Sequence, residues 1–354
     1  MSIVQISNGA LRAARAWIKD LLRRYFSDPR SQGTENKERM QGKIGAVLSR
    51  IAREFYDLAL TKAESTNSLL NADVARLLIA LQEFSQEEKL SPEVVFSTAA
   101  NLTRPLFCTS WYFDRAFKKP RRYPGDYLLI QRIYDGSTAS SGLAALLDRT
   151  FLASPSVQAV QNRREVLGNL LWKHLVSSNG QMSRILSLGS GPGQELIDLA
   201  VRYRQVAGPK GPSVTCVDID PHALSHFRRR WQAESSLPIT TIRADIRRFT
   251  SGAPLRADFA YCIGLFDYLS DDEAIAVLDN IWALLSHMGT FVLGNLADRL
   301  PPEDRFCMDQ IMQWYLVYRD EKALGDLITQ SRFGRAKAIV AEPQRIQLFA
   351  ILQK

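Results

Sequence analysis

One stretch limits what this chain can fold into more than any other. Residues 184–195 read Arg-Ile-Leu-Ser-Leu-Gly-Ser-Gly-Pro-Gly-Gln-Glu, an apolar run that enters a glycine-rich turn and leaves it as an amphipathic pattern. Such a run predicts a buried strand, and glycines two apart predict a turn with no Cβ in the way of a ligand. The helix that follows offers its first N–H groups to the same ligand. Plain tight turns share the glycine pattern, so the residues downstream must decide between the two uses.

A second strand is expected over 213–217, ending in Asp218-Ile219-Asp220-Pro221, and a third over 239–242, running into Arg243-Ala244-Asp245-Ile246. An acidic residue at the end of the second strand of a βαβ unit accepts both hydroxyls of a ribose. Asp218 is assigned that role; Asp220 reads as the N-cap of a helix opening at Pro221. Asp245 is expected to receive an adenine amino group and Ile246 to flank the ring. The dinucleotide pattern G-x-G-x-x-G is not met after Gly189, Gly191 and Gly193, where position 194 is Gln. With no pyrophosphate to hold, S-adenosylmethionine (SAM) fits these contacts better than a nicotinamide dinucleotide.

Together with the run Phe-Ala-Tyr-Cys-Ile-Gly-Leu-Phe-Asp-Tyr at 259–268, these features make residues 184–354 resemble a class I SAM-dependent methyltransferase. The resemblance implies an α/β fold, a seven-stranded Rossmann-like sheet closed by an antiparallel strand, with SAM as co-substrate. One departure is Ser187, which stands where that family usually has an acidic residue. Glu195, in the first turn of the helix, is the available substitute, although an acid there also complements the helix dipole.

Composition narrows the class. A chain of 354 residues, 46% hydrophobic and 23% charged, is globular and long enough for two cores. No apolar run approaches a membrane span, the start lacks a signal-peptide core, and Cys108, Cys216, Cys262 and Cys307 form no C-x-x-C pair. The expectation is therefore a cytoplasmic protein with reduced, buried thiols. The net charge of +8 is spread over short clusters, 118–122 and 228–230, without a nucleic-acid motif, so a solvated basic surface is expected and no nucleic-acid partner.

Residues 1–26 have the pattern of a basic amphipathic helix, which suits packing on its own domain more than a membrane surface, and 27–36 read as a loop. Helical periodicity resumes at 43–62, 68–84 and 94–101, and a longer helix over 156–176 is expected to cover one face of the sheet. The division that follows is an N-terminal helical cap, 1–180, carrying the substrate region, and a SAM-binding domain, 181–354. Past the fourth strand come a helix over 272–285 with a capping box at Ser270 and Glu273, a fifth strand, helices over 304–319 and 321–330, and a hairpin of two last strands.

The turn Tyr123-Pro124-Gly125-Asp126-Tyr127 is the second informative stretch. It is expected to bring Tyr123 and Tyr127 together to face the sulfonium of SAM, since a cation over a ring gains roughly 0.5–2 kcal/mol. R-Y-P-G-D-Y at 122–127, I-Y-D-G at 133–136, A-V-Q-N-R-R at 159–164, G-L-F-D-Y-L at 264–269, Gly294-Asn295 and W-Y-L-V-Y-R at 314–319 are similar to bacterial extracellular-factor methyltransferases. That resemblance implies an acceptor such as a 3-hydroxy fatty acid, esterified at its carboxylate.

Methyl transfer needs an in-line nucleophile and a dry site, and a base only if the acceptor is protonated. The four histidines fall on helices or near their ends and read as structural. Asp267 and Tyr268, just past the fourth strand, are the expected groups near the transferred methyl, with Tyr127. Arg319 or Arg122 is expected to pair with a carboxylate acceptor, and Asn295 to orient a polar one. Two other readings remain open. A closed aromatic site without a base would let the SAM amino group attack its own γ carbon, giving azetidine-2-carboxylate and methylthioadenosine. A non-catalytic SAM-binding regulator would need Gly191 and Asp218 but not Tyr123, Asp267 or Arg319.

Overall fold

The computed structural model describes residues 35–87, 89–139, 141–177, 183–206, 211–249 and 255–354. The helix expected over 1–26, and most of the loop after it, lie outside them. In chain order the helices of the first half are α1 (Glu35–Lys62), α2 (Asn71–Glu87), α3 (Pro92–Phe107), α4 (Trp111–Lys118), α5 (Tyr127–Asp135), α6 (Gly142–Leu152) and α7 (Pro155–Ser177). There follow β1 (Arg184–Leu188), α8 (Gln194–Val206), β2 (Ser213–Asp218), α9 (Pro221–Glu234), β3 (Ile239–Arg243) and β4 (Ala257–Ile263). The chain ends with α10 (Asp271–Leu284), β5 (Leu285–Leu296), α11 (Pro302–Phe306), α12 (Glu321–Thr329), β6 (Ala338–Ala341) and β7 (Gln347–Gln353).

Two compact units alternate along the chain. The first holds the described residues up to Phe117, with Thr138–Thr150 and Arg305–Gln313. It is helical, as expected: α1, α2 and α3 pack on one another, burying Leu48, Phe55, Val74, Leu81, Val95 and Phe107 at helical spacing. Phe107 stacks on Phe55 with centroids 5.8 Å apart and meets Phe113 edge-on at 5.1 Å.

The second unit holds Lys118–Ser137, Phe151–Asp304 and Trp314–Lys354. Residues 118–137 and most of 151–180, assigned from sequence to the cap, thus belong with the sheet. The reason lies in α7, where Leu167, Leu171 and Leu175 pack against Ile185, Phe259 and Tyr261 of the strands. A chain break at 180 would strand that apolar stripe in water.

Among the described residues seven strands form one sheet in the order β3-β2-β1-β4-β5-β7-β6. The first five are mutually parallel, and β7 runs antiparallel to both neighbours. This is the Rossmann-like sheet the sequence called for, including its closing hairpin. Side chains alternate between faces, which is why β1 and β4 read as unbroken apolar runs: both faces are covered. Leu186, Leu188, Ala260 and Leu293 meet Val277, Leu278 and Ile281 of α10 and Leu324 and Ile328 of α12. The capping box of Ser270 and Glu273 opens α10, and Asp220 caps α9 by accepting His222 N–H.

One helix differs. In place of a helix over 304–319, α11 and a π-helical turn at Cys307–Ile311 are followed by irregular backbone with Gln313 at φ +50°. Val317 N–H donates to Asp267 O at 2.7 Å and Arg319 N–H to Leu296 O at 3.0 Å. These tertiary bonds replace the intrahelical ones, so the apolar periodicity of W-Y-L-V-Y-R is overridden. No helix among the described residues is long and apolar enough to cross a membrane.

Candidate functional site

The strand order reverses between β1 and β4, and the carboxyl ends of these strands bound the crevice where ligands of open α/β sheets bind. The glycine turn lies there. Gly189 and Ser190 donate to Val217 O at the end of β2, at 2.8 and 3.2 Å. Gly189, Gly191 and Gly193 all have positive φ, at 68°, 51° and 60°. Their surroundings differ. A Cβ on Gly193 would stand 2.5 Å from the Phe227 ring, whereas at Gly189 and Gly191 the nearest atoms would be 3.6 and 4.0 Å away. Gly193 is thus required by the helix packing behind the turn, while the other two leave an open cradle. Gly193→Ala is expected to destabilise the protein by about 1–3 kcal/mol. An unchanged denaturant midpoint would show that Phe227 moves aside at no cost.

Asp218, only 6% exposed, ends β2. Its Oδ2 accepts Gly191 N–H at 2.8 Å and its Oδ1 accepts Asp220 N–H at 2.9 Å. Burial raises its pKa, and these two N–H groups oppose the rise. The carboxylate keeps lone pairs for further donors. Next to it Ile219 is 51% exposed, an apolar side chain left open beside an acid; it went unremarked in the sequence because a single Ile at a strand end carries no signal. Asp220 lies 3.6 Å from the Arg121 guanidinium, and its Oδ2 is buried without a partner. Burial, then the carboxylates of Asp218, Asp220 and Asp126, push the Tyr123 hydroxyl pKa up, so it stays a phenol.

Tyr127 makes ring contacts of its own. Tyr127 faces the Arg121 guanidinium at 5.6 Å and the His226 ring at 5.2 Å, and it begins α5 behind the cap of Asp126. The turn from Tyr123 to Tyr127 is held differently. Gly125 has φ +68°, and a Cβ there would stand 2.5 Å from the Trp314 ring. Trp314 Nε1–H donates to the Tyr268 hydroxyl at 2.7 Å, and that hydroxyl donates to Pro124 O at 3.4 Å. Tyr268 therefore clamps the turn at the end of β4.

Asp245 caps a short 3-10 turn, Ile246–Arg248, and Arg247 grips both of its oxygens at 2.7 to 3.2 Å, which holds its pKa down. An adenine contact through its side chain requires that pair to open. Ile246 is buried, with its Cδ1 toward Gly189.

Asp267 lies in the 3-10 turn after β4 and accepts Leu296 N–H at 2.6 Å, tying the ends of β4 and β5 together. Burial raises its pKa to about 6. An unfolded aspartate titrates near ~3.9, so the folded state binds this proton more readily. The contribution of Asp267 to stability therefore falls as pH rises from about 4 to 6. Urea titrations across that window should show a shallower pH dependence for Asp267→Asn than for the native chain; parallel curves would contradict the raised value.

Arg319 is a correction. Expected as a free cation for an acceptor, it is 3% exposed with every donor engaged. Its Nη1 donates to Phe266 O and Asn295 Oδ1, its Nη2 to Leu269 O and Asp271 Oδ1, and its Nε to Asp271 Oδ1, all within 2.7–3.0 Å. Asn295 is equally occupied, donating to Leu296 O and Val317 O. Both hold the loops at the strand ends, and neither is available to a substrate. Arg122 is exposed, with φ +72°. His174 and His226 pack among rings, and burial lowers the pKa of each.

Residues 185–289 match the model of the methyltransferase domain. No curated protein matches the chain. Among solved structures, the chain is similar to a possible exported protein from Bordetella parapertussis at 18% identity and TM-score 0.56, covering 93% of this chain and 99% of that one. It is also similar to magnesium protoporphyrin IX methyltransferase from Synechocystis PCC 6803 with bound S-adenosylhomocysteine, at 11% identity, 68% and 96% coverage and TM-score 0.46. The first likeness shows a shared fold over nearly the whole chain. The matched stretch runs from the second residue of β1 to the middle of β5, and so contains the glycine turn, Asp218, Asp245 and Asp267.

Proposed function

We propose that this protein transfers the methyl group of SAM to a small-molecule acceptor. The observation that carries the reading is the joining of the glycine turn to Asp218 through Gly191 N–H, at the switch point of the sheet and inside the matched methyltransferase domain. The residues suit the group. Gly189 and Gly191 leave room for a nucleoside, Asp218 has acceptor capacity for ribose hydroxyls, and Ile219 and Ile246 offer apolar surface for a base. Tyr123, whose hydroxyl pKa burial and then Asp218 and Asp220 raise, is the residue we assign to the sugar side.

SAM supplies a methyl group activated by its sulfonium; the chain supplies position and a site shielded from water. For the acceptor we favour a carboxylate such as a 3-hydroxy fatty acid. It is ionised at neutral pH and asks for no base. With Arg319 committed elsewhere, Arg122 is the cation proposed for it. Tyr268 and Asp267 shape the acceptor side, the first through its hydroxyl and the second through the strand ends it ties together.

The test is mass spectrometry of the nucleoside product after incubation with SAM, first alone and then with carboxylates. S-adenosylhomocysteine that forms only when an acceptor is added supports the reading. Methylthioadenosine from SAM alone would replace it with intramolecular cyclisation.

A further inference from the structure

The arginine run at 228–230 reads in the sequence as solvated surface, and Arg228 and Arg229 on α9 are indeed exposed. Arg230 is half-buried and turns inward. Its Nη1 donates to Gln131 Oε1 at 2.6 Å and its Nη2 to Gln194 Oε1 at 2.5 Å. One guanidinium therefore joins three helices: α9, which carries it, α5 through Gln131, and α8 through Gln194. Gln194 opens α8 directly behind the glycine turn, and it is the residue that breaks the dinucleotide pattern.

Both amides are almost wholly buried, and a carboxylate fixes the orientation of each. Gln131 Nε2–H donates to Asp135 Oδ1 and Gln194 Nε2–H to Asp198 Oδ1, both at 2.8 Å. The acids claim the amide nitrogens, so the amide oxygens are turned to Arg230. Flipping either amide would set N–H groups against a guanidinium, which has no lone pair to accept them. A second Gln131 Nε2–H donates to Gln194 Oε1 at 3.2 Å, and Arg164 holds Asp198 in a bidentate pair. Every link is a hydrogen bond with its donor and acceptor determined.

α5 is the helix into which the turn of Tyr123 and Gly125 leads. Without the guanidinium, Gln131 Oε1 is left buried with no donor, and such an orphan costs more than the bond itself gained. A ligand that orders the glycine turn thus also favours the seated position of α5, and by linkage a seated α5 favours the ligand.

We propose that Arg230 is a positioning residue that fastens α5 to the first turn of α8, so that filling the nucleoside crevice and seating α5 are one coupled event. The inference rests on the SAM reading above and adds a helix outside the matched stretch that responds to the ligand. Local pattern hides the role, because the two acceptors lie 99 and 36 residues away in the chain.

Hydrogen exchange of the full chain with and without saturating S-adenosylhomocysteine, paired with calorimetric titration of the same nucleoside, tests it. In the native chain the nucleoside is expected to slow exchange in both α8 and α5. Arg230→Met is expected to bind it about 10-fold more weakly, the scale of one charge-assisted hydrogen bond, and to keep the protection of α8 while losing that of α5. Arg230→Lys, which keeps the charge and reaches one oxygen, should recover part of both. Should Arg230→Met not fold, Gln131→Leu removes the α5 arm alone and must give the same split. Protection of α5 that survives in these variants overturns the proposal. So does a lower melting temperature with unchanged affinity, which would leave Arg230 a purely structural residue. A native chain that binds no S-adenosylhomocysteine would remove the SAM reading itself; one that binds it without protecting α5 would remove only the coupling.

Discussion

Replacing Arg319 with Met is expected to lower the unfolding free energy by about 3–5 kcal/mol, the range for breaking a buried ionic network by removing one partner. The side chain fills the space between the 3-10 turn after β4 and the end of β5, and its loss leaves Phe266 O, Leu269 O and Asn295 Oδ1 without their donor. Each buried orphan costs about 1–3 kcal/mol. Asp271 adds little, because its side chain is 69% exposed and water replaces the lost partner. The melting temperature should drop by about 6–20 °C for a unit of this size. A variant that melts normally but no longer turns over would return Arg319 to the acceptor.

Asp218→Ala is expected to weaken binding of SAM or S-adenosylhomocysteine by about 1–3 kcal/mol, roughly 10- to 100-fold. Two effects combine. The ribose loses a charged acceptor, and Gly191 N–H and Asp220 N–H lose the oxygens that hold the turn. Asp218→Asn separates them, because its amide oxygen still accepts from one N–H while the charge is gone. Asp218→Ala should weaken methylthioadenosine as well, because both nucleosides carry the same ribose. Equal affinity for the native and Ala chains, measured by calorimetry, would sink the ribose assignment.

These effects fall on residues with unequal traces in the sequence. Asp218 was legible because it ends an apolar strand one helix after a glycine turn, a relation set by local chain geometry. Gly189, Gly191 and Gly193 were legible as a group, but not their division into an open cradle and a packing contact, since Phe227 is 34 residues away from Gly193 in the chain. The Tyr123–Gly125 turn was recognised, whereas its anchor on Trp314 and Tyr268 depends on loops that meet only in the folded unit.

Arg319 and Arg122 read alike by residue type and differ in the fold. Arg319 is consumed by five hydrogen bonds, whereas Arg122 is exposed. Hydrogen-bond partners brought from distant segments decide that difference, and no local pattern encodes them.

By itself the sequence determined the strands and most of the helices in order, the one expected over 304–319 excepted, because strand and helix periodicities, caps and glycine turns are local consequences of side-chain spacing. It also singled out the glycine turn and Asp218, which the fold joins at the switch point of the sheet. Only the tertiary structure decided which charges are spent on the fold and which face the crevice, because burial and hydrogen bonding between remote segments set the cost of leaving a charge unpaired.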